Sequence, residues 1–315
     1  MELQYLRSMA PKAGTGCFSI VRNEIYLLPF FLDHYRALGV SFFVFYDDHS
    51  TDGTRELLAA QSDCIVVTSA YRYNEVLHGG LELKHHVRNY LPEMYGNGGW
   101  FLTVDADEFL ILPTRFSTID DLTLYLDKRD LLCVHAPMIG FYPETLARRD
   151  YNGGVSPFAV NRWFDRTPSF LRLPHLRLPV LHSGGMRYRL AKMLEATQPE
   201  AFRRVFGKGG YLLGCPWKVP LLKTGQGLFR ANAHGLNQRP PLGVEVGLAH
   251  FKLHPDFDRK VADAIERKTY FRDSIEYRFW HAALELLSDE PLICPESVEF
   301  DSAASVEAAG LIWAD

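Results

Sequence analysis

A mixed α/β fold, built on a mostly parallel sheet flanked by helices, is predicted by three features of this sequence. Short apolar runs rich in Val, Ile and Phe recur through the first 136 residues. Stretches with apolar residues at helical spacing lie between them. Several of the runs stop abruptly at polar or acidic residues. Strands alternating with helices imply a parallel sheet covered on both faces. Ligands of such sheets bind outside the carboxyl ends of the strands. Three clusters, Arg22/Asn23/Glu24, Asp47/Asp48 and Asp105/Asp107, are therefore expected on one edge.

The elements follow in order. A strand at 16–21 ends at Arg22-Asn23-Glu24, and Leu28, Leu32 (or Phe31), Tyr35 and Leu38 then recur at helical spacing. Pro29 must lie in the first turn or kink that helix, and Gly39 can close it. A strand at 41–46 ends at Asp47-Asp48, after which Ser50 or Asp52 can cap a helix carrying Leu57 and Leu58. A third strand is predicted at 65–68 and a helix over much of 81–94, broken by Gly96-Asn97-Gly98-Gly99. The strand at 100–104 runs into Asp105-Ala106-Asp107-Glu108 and resumes at 109–112. Ser117 is expected to cap a helix through Leu122 and Leu126, and 131–136 returns as a strand. From 137 to 241 periodicity is poor, which predicts irregular loops and short strands around a site and not a separate core. After His254-Pro255, Phe257, Val261 and Ile265, then Ile275, Phe279, Ala283 and Leu286, predict helices. The last residues read as a loosely packed tail.

The acidic strand ends carry the chemistry. Asp105, Asp107 and Glu108 repel one another unless a cation or a protonated neighbour compensates. Mn²⁺ or Mg²⁺ bridging to a phosphate is a natural compensation, because these hard ions take a few carboxylates plus substrate oxygens. The plain alternative is a solvated acidic turn. The second acidic strand end, at Asp47-Asp48, favours the ligand-binding reading.

The order Val21-Arg22-Asn23-Glu24, then Tyr46-Asp47-Asp48-His49-Ser50-Thr51-Asp52-Gly53-Thr54, then Val104-Asp105-Ala106-Asp107-Glu108-Phe109 resembles glycosyltransferase family 2, in its bacterial branch with a D-x-D-E-F metal motif. The resemblance is concentrated in the first 135 or so residues. It continues in Gly184-Gly185-Met186-Arg187-Tyr188-Arg189, Trp217-Lys218-Val219-Pro220-Leu221, His234-Gly235 and His250-Phe251-Lys252. It implies a GT-A (Rossmann-like) fold in three parts: a nucleotide-sugar-binding core at 1–136, an irregular acceptor-side region at 137–254, and C-terminal helices with a tail at 255–315.

The resemblance also implies the activity and its residues. The reaction is metal-dependent, inverting transfer of a sugar from a UDP- or GDP-linked donor to a glycan or glycoconjugate, as in surface polysaccharide assembly. Val21, Arg22, Glu24, Asp47 and Asp48 would hold the nucleotide. Asp107 would bind the metal, with Asp105 on the metal or the ribose. Late histidines, His250 and His234, are further metal ligands by the same resemblance; His182 is a weaker one. A neutral imidazole nitrogen suits Mn²⁺ beside carboxylates. Lys84, Arg187 and Lys218 are the favoured cations for the leaving diphosphate, with Arg88, Arg189 and Lys223 as further candidates. Each of these also reads as an ordinary surface charge. The acidic pair that usually supplies the family's base is missing downstream. Glu144 and Asp165 stand in as candidates, with Asp150 and Glu195 behind them.

Charge and composition narrow the partners. The formal balance is −7 over residues 1–140, +10 over 141–230 and −7 over 231–315, within a net charge of −4. A basic middle in an acidic chain fits a diphosphate or an anionic, lipid-linked acceptor, or arginines paired with acids from the flanks. No compact basic run or nucleic-acid motif points to DNA or RNA. Five scattered cysteines without a C-x-x-C pair fit reduced thiols and a cytoplasmic location. No apolar run spans a bilayer, which leaves peripheral contact with the inner membrane face. Two other classes share the acidic strand end. A phosphatase of the haloacid dehalogenase type would use Asp105 as nucleophile, but Glu108-Phe109 stand where it needs threonine or valine. A non-catalytic nucleotide-sugar-binding protein would keep the donor site without a base.

Overall fold

In the computed structural model, the described residues are 2–11, 13–147, 154–167, 170–171, 180–181, 184–207, 215–268 and 270–315. In chain order the elements are β1 (Gln4–Arg7), β2 (Gly16–Val21), α1 (Leu28–Ala37), β3 (Phe42–Asp47), α2 (Thr54–Ala59), β4 (Cys64–Thr68), α3 (Leu83–Gly96), β5 (Trp100–Thr103), β6 (Glu108–Ile111), α4 (Ile119–Asp127) and β7 (Cys133–Tyr142). There follow α5 (Pro157–Val160), β8 (Trp163–Asp165), β9 (Phe170–Leu171), β10 (Val180–Leu181), α6 (Met186–Thr197), α7 (Pro199–Phe206), β11 (Trp217–Lys223), β12 (Val244–Glu245) and β13 (Gly247–His250). The chain ends with α8 (Phe257–Arg267), α9 (Phe271–Leu286), β14 (Ser297–Glu299), α10 (Ala303–Ala308) and β15 (Trp313–Ala314).

Two compact units do not follow chain order. The first comprises Met1–Pro137, Trp217–Leu248 and Ile312–Asp315; the second comprises Met138–Pro216 and Ala249–Leu311. The segments 137–254 and 255–315 are each shared between the units.

The first unit carries the large sheet, in the order β1-β4-β3-β2-β5-β11-β7-β12-β15. Strands β4, β3, β2 and β5 are mutually parallel, while β1 and β11 join antiparallel. This is the mixed, mostly parallel, helix-flanked sheet expected, and it is consistent with a GT-A-like fold. Every residue of β3 is buried, because both faces are covered. Phe42, Val44 and Tyr46 lie in one cluster with Phe18, Leu83, Val87 and Leu91, the last three from α3. On the alternate positions, Phe43 and Phe45 lie 6.3 and 6.0 Å from the Phe31 ring of α1. Each such ring contributes roughly 1.5–3 kcal/mol by leaving water. Gly16 begins β2 because a Cβ there would fall 2.5 Å from the Phe101 ring and 2.7 Å from that of Phe42.

Helix ends follow local chemistry. Pro29 sits in the first turn of α1, and Gly39 after its C-cap takes φ +92°. Helix α4 is capped by Thr118 and not by Ser117. The Thr118 hydroxyl accepts from Asp121 N at 3.2 Å, and Asp121 accepts in return from Thr118 N at 2.9 Å, which satisfies two orphan donors reciprocally.

The second unit has its own core, contrary to the expectation of loops and short strands without a separate core over 137–241. Tyr142, Leu146, Leu190, Leu194, Phe202 and Phe206 pack with Phe257, Val261, Phe279 and Trp280 of α8 and α9. The two contributing stretches are far apart in sequence, so neither shows a complete apolar pattern. The chain's end is also packed and not loose. Val306 and Ile312 are buried, and β15 pairs with β12. Cys17, Cys64 and Cys133 are buried core residues, and all five thiols are free. Among the described residues, no helix is long and apolar enough to cross a membrane.

Candidate functional site

The carboxyl edge of the parallel strands brings three polar strand ends together within the first unit. Val21 of β2 is in register with Asp47 of β3, and Phe18 of β2 with Thr103 of β5. Arg22–Glu24, Asp47-Asp48 and the turn from Asp105 to Glu108 therefore leave neighbouring strands on one rim.

The first two ends are laced together. Arg22 Nη1 donates to the carbonyls of Asp48 and His49 at 2.8 and 3.2 Å. Asn23 N donates to Ser50 Oγ, Glu24 N to Thr54 Oγ1 and Ile25 N to Asp52 Oδ2, at 3.0, 2.9 and 3.2 Å. Asn23 Oδ1 accepts from Thr51 N at 2.8 Å, and Asp52 Oδ1 accepts from Thr54 N at 3.0 Å at the head of α2. Ser50 and Asp52 thus serve the backbone, as capping chemistry predicts. Asp47 is fully buried; its carboxylate accepts from Ser50 N and, at 2.5 Å, from Arg55 Nε. Asp48 Oδ1 accepts from Tyr73 N at 2.9 Å.

The third end is a tight turn. Glu108 N donates to Asp105 O at 3.0 Å, and Glu108 Oε2 accepts from Asp105 N at 2.9 Å. Strand β11 pairs with β5 as Lys223 with Trp100 and Leu221 with Leu102, which carries Lys218 up to the turn. Lys218 Nζ lies 2.5 Å from Asp105 Oδ2 and 2.6 Å from Glu108 Oε1. Arg88 Nη2, from α3, donates to Asp105 Oδ1 at 2.9 Å. Both oxygens of Asp105 are thereby engaged by cations.

Burial and charge pull these groups in opposite directions. Burial alone would raise the Asp105 pKa, but Lys218 and Arg88 hold it well below the carboxylate range. Burial opposes the charges on Arg88 and Lys218. Tyr73 and Asp105 outweigh it for Arg88, and Asp105 and Glu108 for Lys218, so both stay protonated. Burial pushes Glu108 up to about 7; Lys218 opposes this, while Asp105 and Asp107 add to it. Asp107 itself is 3% exposed. Three carboxylates and two buried cations therefore meet at this turn.

Tyr73 and Lys84 stand between the two acidic ends. Lys84 Nζ donates to Asn74 Oδ1 at 3.0 Å, pairs with Glu82 and lies 5.3 Å from the Tyr73 ring centre. His234 belongs to the same unit. Its Nδ1–H faces the Trp217 carbonyl at 2.8 Å, which leaves Nε2 as the lone-pair nitrogen. Burial and the nearby Lys218 push its pKa down to about 4, so the ring is neutral at ordinary pH.

The other candidates lie in the second unit. His250 ends β13 and is buried. Arg187 on α6 pairs with Glu276 at 2.9 Å. Burial would raise Glu276, but Arg187, Lys252 and His250 lower it. Asp165 is buried and bound by Arg189 through two contacts of 2.9 Å, and it accepts from the Tyr142 hydroxyl. Its oxygens, and the Arg189 cation, are thereby tied into the packing of that unit. Glu144 is exposed. Lys223 pairs with Asp127 opposite Trp100, at the end of β5 away from the acidic turn. Asp150 and His182 lie outside the described residues.

Two residues escaped sequence reasoning. Glu276 looks like any helical acid in sequence. Tyr73 carries one signal, its place in the polar-aromatic run Tyr71-Arg72-Tyr73-Asn74 just past the carboxyl end of β4.

Comparison with known proteins adds a distant likeness. No family model and no curated protein matches the chain. Among solved structures, the crystal structure of S. aureus TarS matches over 40% of this chain, with 16% identity and a TM-score of 0.31. This chain spans 22% of the length of that protein.

Proposed function

We propose that this chain is a metal-dependent glycosyltransferase that moves a sugar from a UDP- or GDP-linked donor to a glycan or glycoconjugate acceptor. The observation that carries the reading is the shared rim. There Asp47-Asp48, the Arg22–Glu24 segment and the Asp105–Glu108 turn sit on adjacent strands with two buried cations, Arg88 and Lys218, behind the turn. Acids at one end suit the N–H groups of a nucleobase. Acids with cations at the other suit a pyrophosphate and its metal.

The donor set fits a hard divalent ion. Asp107 and Glu108 are buried oxygen donors in one turn, and their mutual repulsion is part of what raises Glu108. The ion would be held by Asp107, with Glu108 beside it and with a late histidine, of which His234 belongs to the same unit, as the nitrogen ligand that the family resemblance implies. It would supply charge neutralisation for the leaving diphosphate. Asp105, already held by Lys218 and Arg88, is assigned to orienting the donor. Lys84 and Arg187 remain candidate cations for the donor. Glu144 is the more accessible of the two candidate bases, since Asp165 is bound by Arg189 and Tyr142.

A panel of UDP, GDP, ADP and CDP, each with Mn²⁺, Mg²⁺ or EDTA, tests this by thermal shift. UDP or GDP should raise the melting temperature in a metal-dependent way, because a ligand of the folded state stabilises it by mass action. If none of the four does so, the reading fails. Phosphate release from sugar phosphates would instead favour the phosphatase reading with Asp105 as nucleophile.

A further inference from the structure

We propose that Tyr73 is a positioning residue that couples the nucleobase end of the donor site to its phosphate end. The proposal rests on the transferase reading above and goes beyond it by assigning a residue that links the two halves of the site.

Tyr73 touches both ends through different atoms. Its backbone N–H donates to Asp48 Oδ1 at 2.9 Å. Its phenol oxygen accepts from Arg88 Nη1 at 3.3 Å, and its ring centre lies 5.7 Å from the Arg88 guanidinium carbon. The other terminal nitrogen of Arg88 donates to Asp105 Oδ1 at 2.9 Å, and Asp105 meets Lys218 at 2.5 Å. One connected path therefore runs Asp48, Tyr73, Arg88, Asp105, Lys218. The Tyr73 carbonyl also accepts from Lys84 N at 3.1 Å, which fixes the residue against the first turn of α3.

The chemistry of the path makes the hydroxyl more than packing. Arg88 is 5% exposed, and a buried guanidinium needs its protons matched by acceptors in fixed directions. Asp105 satisfies one side and the Tyr73 phenol the other. A neutral acceptor directs the guanidinium without adding to the negative charge of the Asp105–Glu108 turn. A ligand that draws on Asp48 moves the Tyr73 backbone, hence its ring, hence the aim of Arg88 at Asp105. By linkage, occupation of the phosphate end must bias the nucleobase end by the same factor.

Tyr73→Phe tests this, because it keeps the ring and the backbone bond to Asp48 and removes only the acceptor for Arg88. Wild type and variant are titrated with UDP and GDP in the presence of Mn²⁺, and with uridine and guanosine, by ligand-observed NMR. The expected result is unchanged nucleoside affinity, a ligand-free melting temperature lowered modestly because a buried Arg88 N–H loses its acceptor, and about tenfold weaker binding of the diphosphate, the scale of one hydrogen bond to a charged group. Equal weakening of nucleoside and diphosphate would show that Tyr73 only shapes the Asp48 loop, and no weakening of either would show an idle hydroxyl; both overturn the proposal. If the wild type binds neither diphosphate, the transferase reading itself fails and the proposal falls with it. That outcome is visible without the variant.

Discussion

Lys218 bridges Asp105 and Glu108, with its ammonium 2.5 Å from one carboxylate and 2.6 Å from the other. The lysine arrives from β11, and both acids come from the turn that ends β5. Lys218→Met keeps the length of the side chain and removes its charge, leaving the buried Glu108 carboxylate and the partly exposed Asp105 without their shared partner. Chemical denaturation should show a loss of about 3–5 kcal/mol, the scale for breaking one side of a buried ion pair. Adding Glu108→Gln should recover part of it. No loss in the single variant would mean that the bridge contributes nothing.

Asp107 should behave in the opposite way. Asp107→Asn removes one negative charge from a crowded turn, so ligand-free stability should stay level or rise slightly. The Mn²⁺-dependent part of the nucleoside-diphosphate thermal shift should disappear. Retention of that shift would remove Asp107 from the metal site. His234→Ala and His250→Ala, compared in the same assay, identify which imidazole serves the ion, since only the ligand's loss should raise the Mn²⁺ concentration needed.

Asp165 is expected to matter for folding. It anchors Arg189, the Tyr142 hydroxyl and, through that hydroxyl, Ser297, so that β7, β8, α6 and β14 meet at one carboxylate. Asp165→Asn should destabilise the second unit by about 3 kcal/mol while nucleoside-diphosphate binding stays unchanged. A stable variant that binds donor but does not turn over would restore Asp165 as the base, and Glu144→Gln provides the parallel test of the other candidate.

Acid should weaken the first unit through its histidines. Burial brings His34 to about 4 against the ordinary 6.5, although its ring faces the Leu110 carbonyl at 2.9 Å. Burial and Lys218 bring His234 to about 4 as well. Between those limits the unfolded chain binds protons that the folded chain excludes. Stability is therefore full above about pH 6.5 and falls as the pH drops toward 4, by at most about 1.4 kcal/mol per pH unit for each histidine. Urea titrations from pH 7 to 4 should show this slope, and His34→Gln should flatten it. An unchanged slope would mean that His34 titrates alike in both states.

The strand ends were legible because apolar runs there break directly into acids, a pattern with few other readings in an alternating α/β chain. Asp47, Asp105 and Asp107 could be placed on one rim for that reason. What each side chain touches was not legible. The engagement of both Asp105 oxygens by cations depends on the β11–β5 register and on the face that α3 turns inward, and neither is written in a local motif. Thr118 rather than Ser117 caps α4 because two adjacent residues both carry hydroxyls, and only the backbone conformation chooses between them. The second core was hidden because its apolar residues are divided between a stretch before Pro216 and another after Ala249.

The lacing of Arg22–Ile25 to Asp48–Thr54 has a consequence for how tightly a ligand can be held. Side chains of one loop satisfy the backbone of the other, and Asn23 and His49 both take left-handed backbone angles, φ +54° and +59°. Apart from the contact of Asp48 with Tyr73, a guest arriving at this corner meets a mould that is already set, so little freedom is lost on its arrival and more of the contact energy survives as affinity.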